Sequence, residues 1–177
     1  YHGGVIKFLG GRCALNMPFD FVLAEYNDIA GAADAIDQVG DELAAVIVEP
    51  ILGAGGNIQG NRAFLETLRQ KTREVGALLI FDEVKTARLG PAGVQGMISI
   101  KPDLTTIGKF IGGGLPTGAF GGSAEVMAHF NPKNAGALAH AGTFNNNVCS
   151  MAAGCAALSK VYPAQRRSEE RRVGKEG

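Results

Sequence analysis

Two residues of this chain have side chains whose placement asks for a chemical explanation. Asp82 ends the apolar stretch "ALLIFD" (77–82), and Lys109 lies in "TTIGKFIGGG" (105–114). A run so apolar predicts a buried strand, and a carboxylate at its end needs a partner, because an unpaired buried charge is costly. Open α/β sheets bind their ligands beyond the carboxyl ends of the strands, which is where Asp82 would stand. Lys109 is flanked by Ile107, Gly108, Phe110 and Ile111. These neighbours predict a desolvated lysine whose amine is held neutral, the form that attacks a carbonyl. The competing readings are a structural ion pair or helix cap for Asp82 and a solvated surface amine for Lys109. Gly112 to Gly114 could also be read as a phosphate loop, but the remaining spacing of such a loop is missing.

A strand-end aspartate and a lysine in apolar surroundings together suit pyridoxal 5'-phosphate. The lysine holds the aldehyde as a Schiff base, and the carboxylate keeps the pyridine nitrogen protonated so that the ring can take up electrons. The phosphate then needs donors. "HAGTFNNN" (140–147) offers Thr143 and neighbouring backbone N–H groups beside the start of a predicted helix, although a capped helix start explains the same letters.

The elements around these residues are legible. Asn27 and Asp28 predict a helix cap, with a helix over 29–39. "AAVIVEP" (44–50) reads as a strand buried on both faces, and "GAGGNIQG" as a loop. Asn61 predicts the cap of a second helix, with Phe64, Leu65, Leu68 and Val75 on one face and Gly76 as its stop. The strand "ALLIFDE" follows directly. Strand, helix and strand in about forty residues make a βαβ unit of a parallel sheet. "DLTTIGK" and "TGAFGG" predict two further strands, "SAEVMAHF" a helix capped by Ser123, and "NVCSMAAGCAALSKVY" another helix. The fold class is therefore α/β.

The chain has 177 residues, 26 of them glycine, and a formal charge of zero that gives no argument for a nucleic-acid partner. No apolar run is long enough to cross a bilayer. Cys13, Cys149 and Cys155, an odd number without metal-ligand spacing, predict free thiols in a cytoplasmic protein, the last two as small packing residues. His2, His129 and His140 have no partners at metal spacing and read as scaffold or loop histidines. Glu83 is expected to pair with a nearby cation. Residues 166–177 are nearly all charged or glycine and read as a non-native or disordered tail, since Arg167 to Glu176 resembles a translated sequencing adapter.

The blocks "VIVEP", "GALLIFDEVKT", "PDLTTIGKFIGGGLPTGAFGG" and "HAGTFNNN" resemble, in order and spacing, the class III (fold-type I) PLP-dependent aminotransferases. The resemblance runs from Tyr1 to about Tyr162 and is strongest to glutamate-1-semialdehyde 2,1-aminomutases and β-amino-acid (β-phenylalanine type) transaminases. It implies a mostly parallel sheet flanked by helices, the central part of a PLP-binding large domain over 1–165, with the N-terminal part and the C-terminal small domain outside this chain. It further implies that Lys109 forms the Schiff base and shuttles a proton, and that Asp82 binds the pyridine nitrogen. Val84 would pack on one ring face, Tyr1 on the other, and Glu49 would support the pocket. Thr143 would reach the phosphate of the neighbouring subunit in a homodimer. The implied substrates are an amino acid and a keto acid or aldehyde. Intramolecular transfer by an aminomutase, or an inactive truncated family member, are the alternatives. Lys85 departs from the family, which carries Met or Gln there; its amine either alters the cofactor ring or points away.

Overall fold

The computed structural model describes residues 20–165. The expected tail at 166–177, Tyr1, His2 and Cys13 lie outside the described residues. Four strands form one sheet in the order β1 (Ala45–Val48), β4 (Leu78–Asp82), β5 (Leu104–Gly108) and β6 (Gly118–Gly122). The β1–β4 and β4–β5 pairs are parallel and the β5–β6 pair antiparallel, so the sheet is mostly parallel as expected. Between β1 and β4 the chain adds a small antiparallel ribbon, β2 (Ile51–Leu52) with β3 (Ile58–Gln59), where the sequence predicts only loop.

Helix α1 (Ile29–Val39) begins at Asp28, whose Oδ1 accepts from the Gly31 N–H at 3.0 Å. Helix α2 (Arg62–Glu74) starts after Asn61, but the Asn61 side chain makes no capping bond. Instead the Asn61 N–H donates to Asn27 Oδ1 at 2.7 Å, which ties the start of α2 to the turn before α1. Gly76 adopts φ +75°, the left-handed stop that glycine tolerates.

Strand periodicity decides which side is core. Val48, Leu79 and Phe81 face Ile36 of α1 and Phe64, Leu65 and Leu68 of α2, and Leu79 and Phe81 are fully buried. Ile47, Ile80 and Leu104 occupy the opposite face and are only half-buried. Asp103 fastens the entry to β5: its Oδ2 accepts from the Leu79 N–H and from Arg69 Nη1, each at 2.7 Å. A short helix, α3 (Gly93–Ile98), crosses between β4 and β5. Two more follow β6: α4 (Ala124–Ala128), capped by Ser123 as predicted, and α5 (Val148–Ala156), which continues to Val161 in a wider turn. Among the described residues no helix is long and apolar enough to cross a membrane. Cys149 and Cys155 are free, as expected, but exposed rather than packed inside.

Candidate active site

The parallel register brings Asp82 and Lys109 to the same end of the sheet. Asp82 pairs with Thr106 across β4 and β5, and Lys109 follows Thr106 by three residues, at most about 10 Å of chain. Asp82 is 8% exposed, a buried carboxylate as expected. Its Oδ1 accepts from the Val84 N–H at 3.1 Å and from Thr106 Oγ1 at 3.2 Å. Both donors orient the carboxylate on the face opposite Phe81, away from α1 and α2. Thr106 is a site residue that the sequence motifs leave unmarked. Its signal was present, because a hydroxyl in register with a strand-end acid is placed to hold it.

Val84 lies against the strand that leads to Lys109. A Cβ placed on Gly108 would meet Val84 Cγ1 at 3.4 Å and Cγ2 at 3.6 Å, so the two residues are in packing distance. Lys109 itself begins a short helical turn (Lys109–Gly112) with φ +53°, a conformation rarely adopted by a residue with a side chain. It is exposed, which corrects the expectation of a desolvated amine. Of its apolar neighbours, Phe110 has its ring engaged edge-on with Tyr162, with ring centroids 5.5 Å apart. A groove of about 580 Å³ flanked by Gln95, Thr105, Ile107 and Phe110 opens on the other face of β5, since Thr105 and Ile107 alternate with Thr106. It is not the side on which Asp82 stands.

Glu49 is half-buried after β1, and its Oε2 accepts from the Gly53 N–H at 3.0 Å. A Cβ on Gly53 would meet that oxygen at 3.1 Å and Lys85 Cδ at 3.2 Å, so the Lys85 stem passes along the glycine. Lys85 Nζ ends on Asn57 Oδ1, in the turn between β2 and β3. Of the two expected placements, the structure has the amine tied to the ribbon. Tyr26 OH donates to the backbone carbonyl of Glu49 at 2.8 Å. Burial, followed by the nearby Glu49 charge, pushes its phenol up to about 12.

Glu83 corrects a second expectation. It is fully buried, and its partners are donors without charge: Oε2 accepts from the Val94 N–H at 2.7 Å and from Thr86 Oγ1 at 2.9 Å, and Oε1 accepts from the Gln95 N–H at 2.9 Å. The carboxylate therefore serves the first turn of α3, where backbone N–H groups lack helical acceptors. Thr143 is exposed in the loop leading to α5, which Asn147 caps by accepting from the Ser150 N–H at 3.2 Å. The contacts of the described residues join Asp82, Val84, Thr106 and Gly108, while Thr143 stands on a different loop. Among the described residues no cluster of His, Cys, Asp or Glu is arranged to hold a metal.

A buried, oriented carboxylate on one strand end and an amine on the next form a donor set suited to a cofactor carrying both a basic ring nitrogen and a carbonyl. The aminotransferase class-III family model matches residues 5–175. A β-phenylalanine transaminase of Variovorax paradoxus is 52% identical over 162 residues, which are 92% of this chain and 37% of that protein. A solved β-phenylalanine aminotransferase from Variovorax paradoxus superposes with a TM-score of 0.90 at 49% identity, covering 99% of this chain and 41% of that one. A glutamate-1-semialdehyde 2,1-aminomutase of Limosilactobacillus reuteri subsp. reuteri is 48% identical over 149 residues, 84% of this chain and 34% of that protein. The chain thus spans little more than a third of the length of these curated relatives.

Proposed function

We propose, from the premise that this chain belongs to the class-III aminotransferases, that it forms the central part of the large domain of an enzyme transferring an amino group from an amino acid to a keto acid or aldehyde. The observation that carries this reading is the placement of buried Asp82 and of Lys109 at the ends of neighbouring parallel strands. The proposed cofactor is pyridoxal 5'-phosphate, which supplies a carbonyl carbon that condenses with an amine, releasing water, and a ring that takes up an electron pair when a proton leaves the substrate carbon.

The residues of this chain divide the remaining work. Asp82, oriented by Thr106 and the Val84 N–H, holds a proton on the ring nitrogen and so keeps the ring positively charged. Lys109 Nζ provides the anchoring amine and, once free of that anchor, carries a proton between the substrate carbon and the cofactor. Val84, packed near Gly108, offers an apolar wall to the ring. Glu49 fixes the turn at Gly53 and supports the rim of the pocket. Thr143 binds the phosphate held by a second copy of the chain. Phe144 and Val148 on the same segment are 84% and 80% exposed, an apolar surface suited to a homodimer contact.

The test uses the full-length protein with a β-amino acid as donor and a 2-keto acid as acceptor. Amino transfer that vanishes in Lys109→Ala, with the fold retained, is the expected outcome; transfer at the wild-type rate in that variant contradicts the reading. An aminomutase draws on the same residues but turns over a single amino aldehyde with no keto acid added, and this separates the two activities.

A further inference from the structure

Lys109 holds a left-handed backbone conformation, which a residue with a side chain keeps only where the surrounding structure holds it. Helix α5 is placed to do so. We infer that Ser150 and Gly154 of α5 are positioning residues that fix the loop from Lys109 to Pro116 and thereby the aim of the Lys109 amine; this rests on the reading of Lys109 given above.

The loop and the helix interlock along three successive steps. A Cβ on Gly154 would stand 2.3 Å from the Ile111 carbonyl oxygen, and a Cβ on Gly113 would stand 2.3 Å from the Ala153 carbonyl oxygen. Each side therefore approaches the other more closely than any side chain permits. Gly113 also adopts φ +60°, which reserves the position for glycine a second time. One helical turn earlier, Ser150 is buried and its Oγ donates to the Pro116 carbonyl oxygen at 3.1 Å. As the loop runs from 111 to 116, its contacts descend α5 from 154 through 153 to 150.

Two further contacts close the loop on this support. The Gly113 N–H donates to the Phe110 carbonyl at 3.2 Å, and the Leu115 N–H to the Gly112 carbonyl at 3.1 Å. Phe110, the residue next to Lys109, rests edge-on against Tyr162 beyond α5, and the Arg88 guanidinium lies 5.7 Å from the centre of the same ring. Arg88 belongs to the segment that follows Asp82 and Glu83. The anchor behind Lys109 is thus shared with the segment behind Asp82.

A methyl group at position 154 forces the two backbones apart by about 1 Å before ordinary contact distance is restored. A displacement of that size at a reacting group costs up to about a hundredfold in rate. The test compares wild type, Gly154→Ala and Ser150→Ala of the full-length protein. The readouts are the rate at which Lys109 captures pyridoxal phosphate, followed by borohydride trapping and peptide mass, and the pH at which the absorbance of the lysine-bound cofactor changes. The inference predicts capture slowed by about tenfold or more in Gly154→Ala, by a smaller factor in Ser150→Ala, and a displaced absorbance titration in both. Ser150→Ala adds no bulk, so it carries the test even if Gly154→Ala does not fold. A Ser150→Ala protein that loses thermal stability while its capture rate and titration stay at wild-type values overturns the inference. If wild type itself shows no trapping at Lys109, the reading of that lysine fails, and the inference with it.

Discussion

The two adjacent acids at the end of β4 look interchangeable as letters, yet they do different work. Asp82 keeps company with Thr106 and the Val84 N–H on the site face, whereas Glu83 turns inward to the start of α3. The sequence made Asp82 legible, because an acid closing an apolar strand demands a partner. It did not reveal the partners of Glu83, since two of its three donors, the Val94 and Gln95 N–H groups, lie eleven and twelve positions away. The position of Lys109 at a strand end beside that of Asp82 was legible, but its exposure was not, because exposure is set by tertiary packing around the turn. Glu83 gives a sharp prediction. Glu83→Gln puts an NH2 group in place of one of the two accepting oxygens, so the Val94 or the Gln95 N–H loses its acceptor. The expected cost is about 2–3 kcal/mol, visible as a lower midpoint in urea unfolding at neutral pH. An unchanged midpoint would show that α3 does not depend on the carboxylate.

Helix α1 and the four sheet strands were readable because local rules and the fold agree there: Asp28 caps, Gly76 stops, and the apolar runs are continuous. The ribbon of β2 and β3 and helix α3 were not readable, since both are fixed by distant contacts on glycine-rich stretches. The ribbon is held by Tyr26, Glu49 and Lys85, and α3 by Glu83. Tyr26 makes this testable. Its phenol is raised from 10.0 to about 12, so the folded state binds its proton more tightly than the unfolded chain does. That contribution is complete below pH 10 and is lost as pH rises towards 12. Tyr26→Phe is expected to lose about 1 kcal/mol at neutral pH, with the hydrogen bond to the Glu49 carbonyl. It should also flatten the decline in stability between pH 10 and 12. A decline as steep in the variant as in wild type would assign the alkaline loss to other groups.

At the scale of the molecule, one face of the sheet is sealed by α1 and α2, while the face bearing Ile47, Ile80 and Asp82 is covered less completely by the described residues. The chain spans little more than a third of its curated relatives. The proposed chemistry nevertheless rests on a single atom, Lys109 Nζ. The most direct measurement is to incubate the full-length protein with pyridoxal 5'-phosphate, reduce with borohydride, digest, and locate the added mass by sequencing the modified peptide. The label is expected on Lys109, absent from Lys109→Ala and depleted by adding an amino donor before reduction. A label on Lys85 in place of Lys109, or no site-specific label, would contradict it.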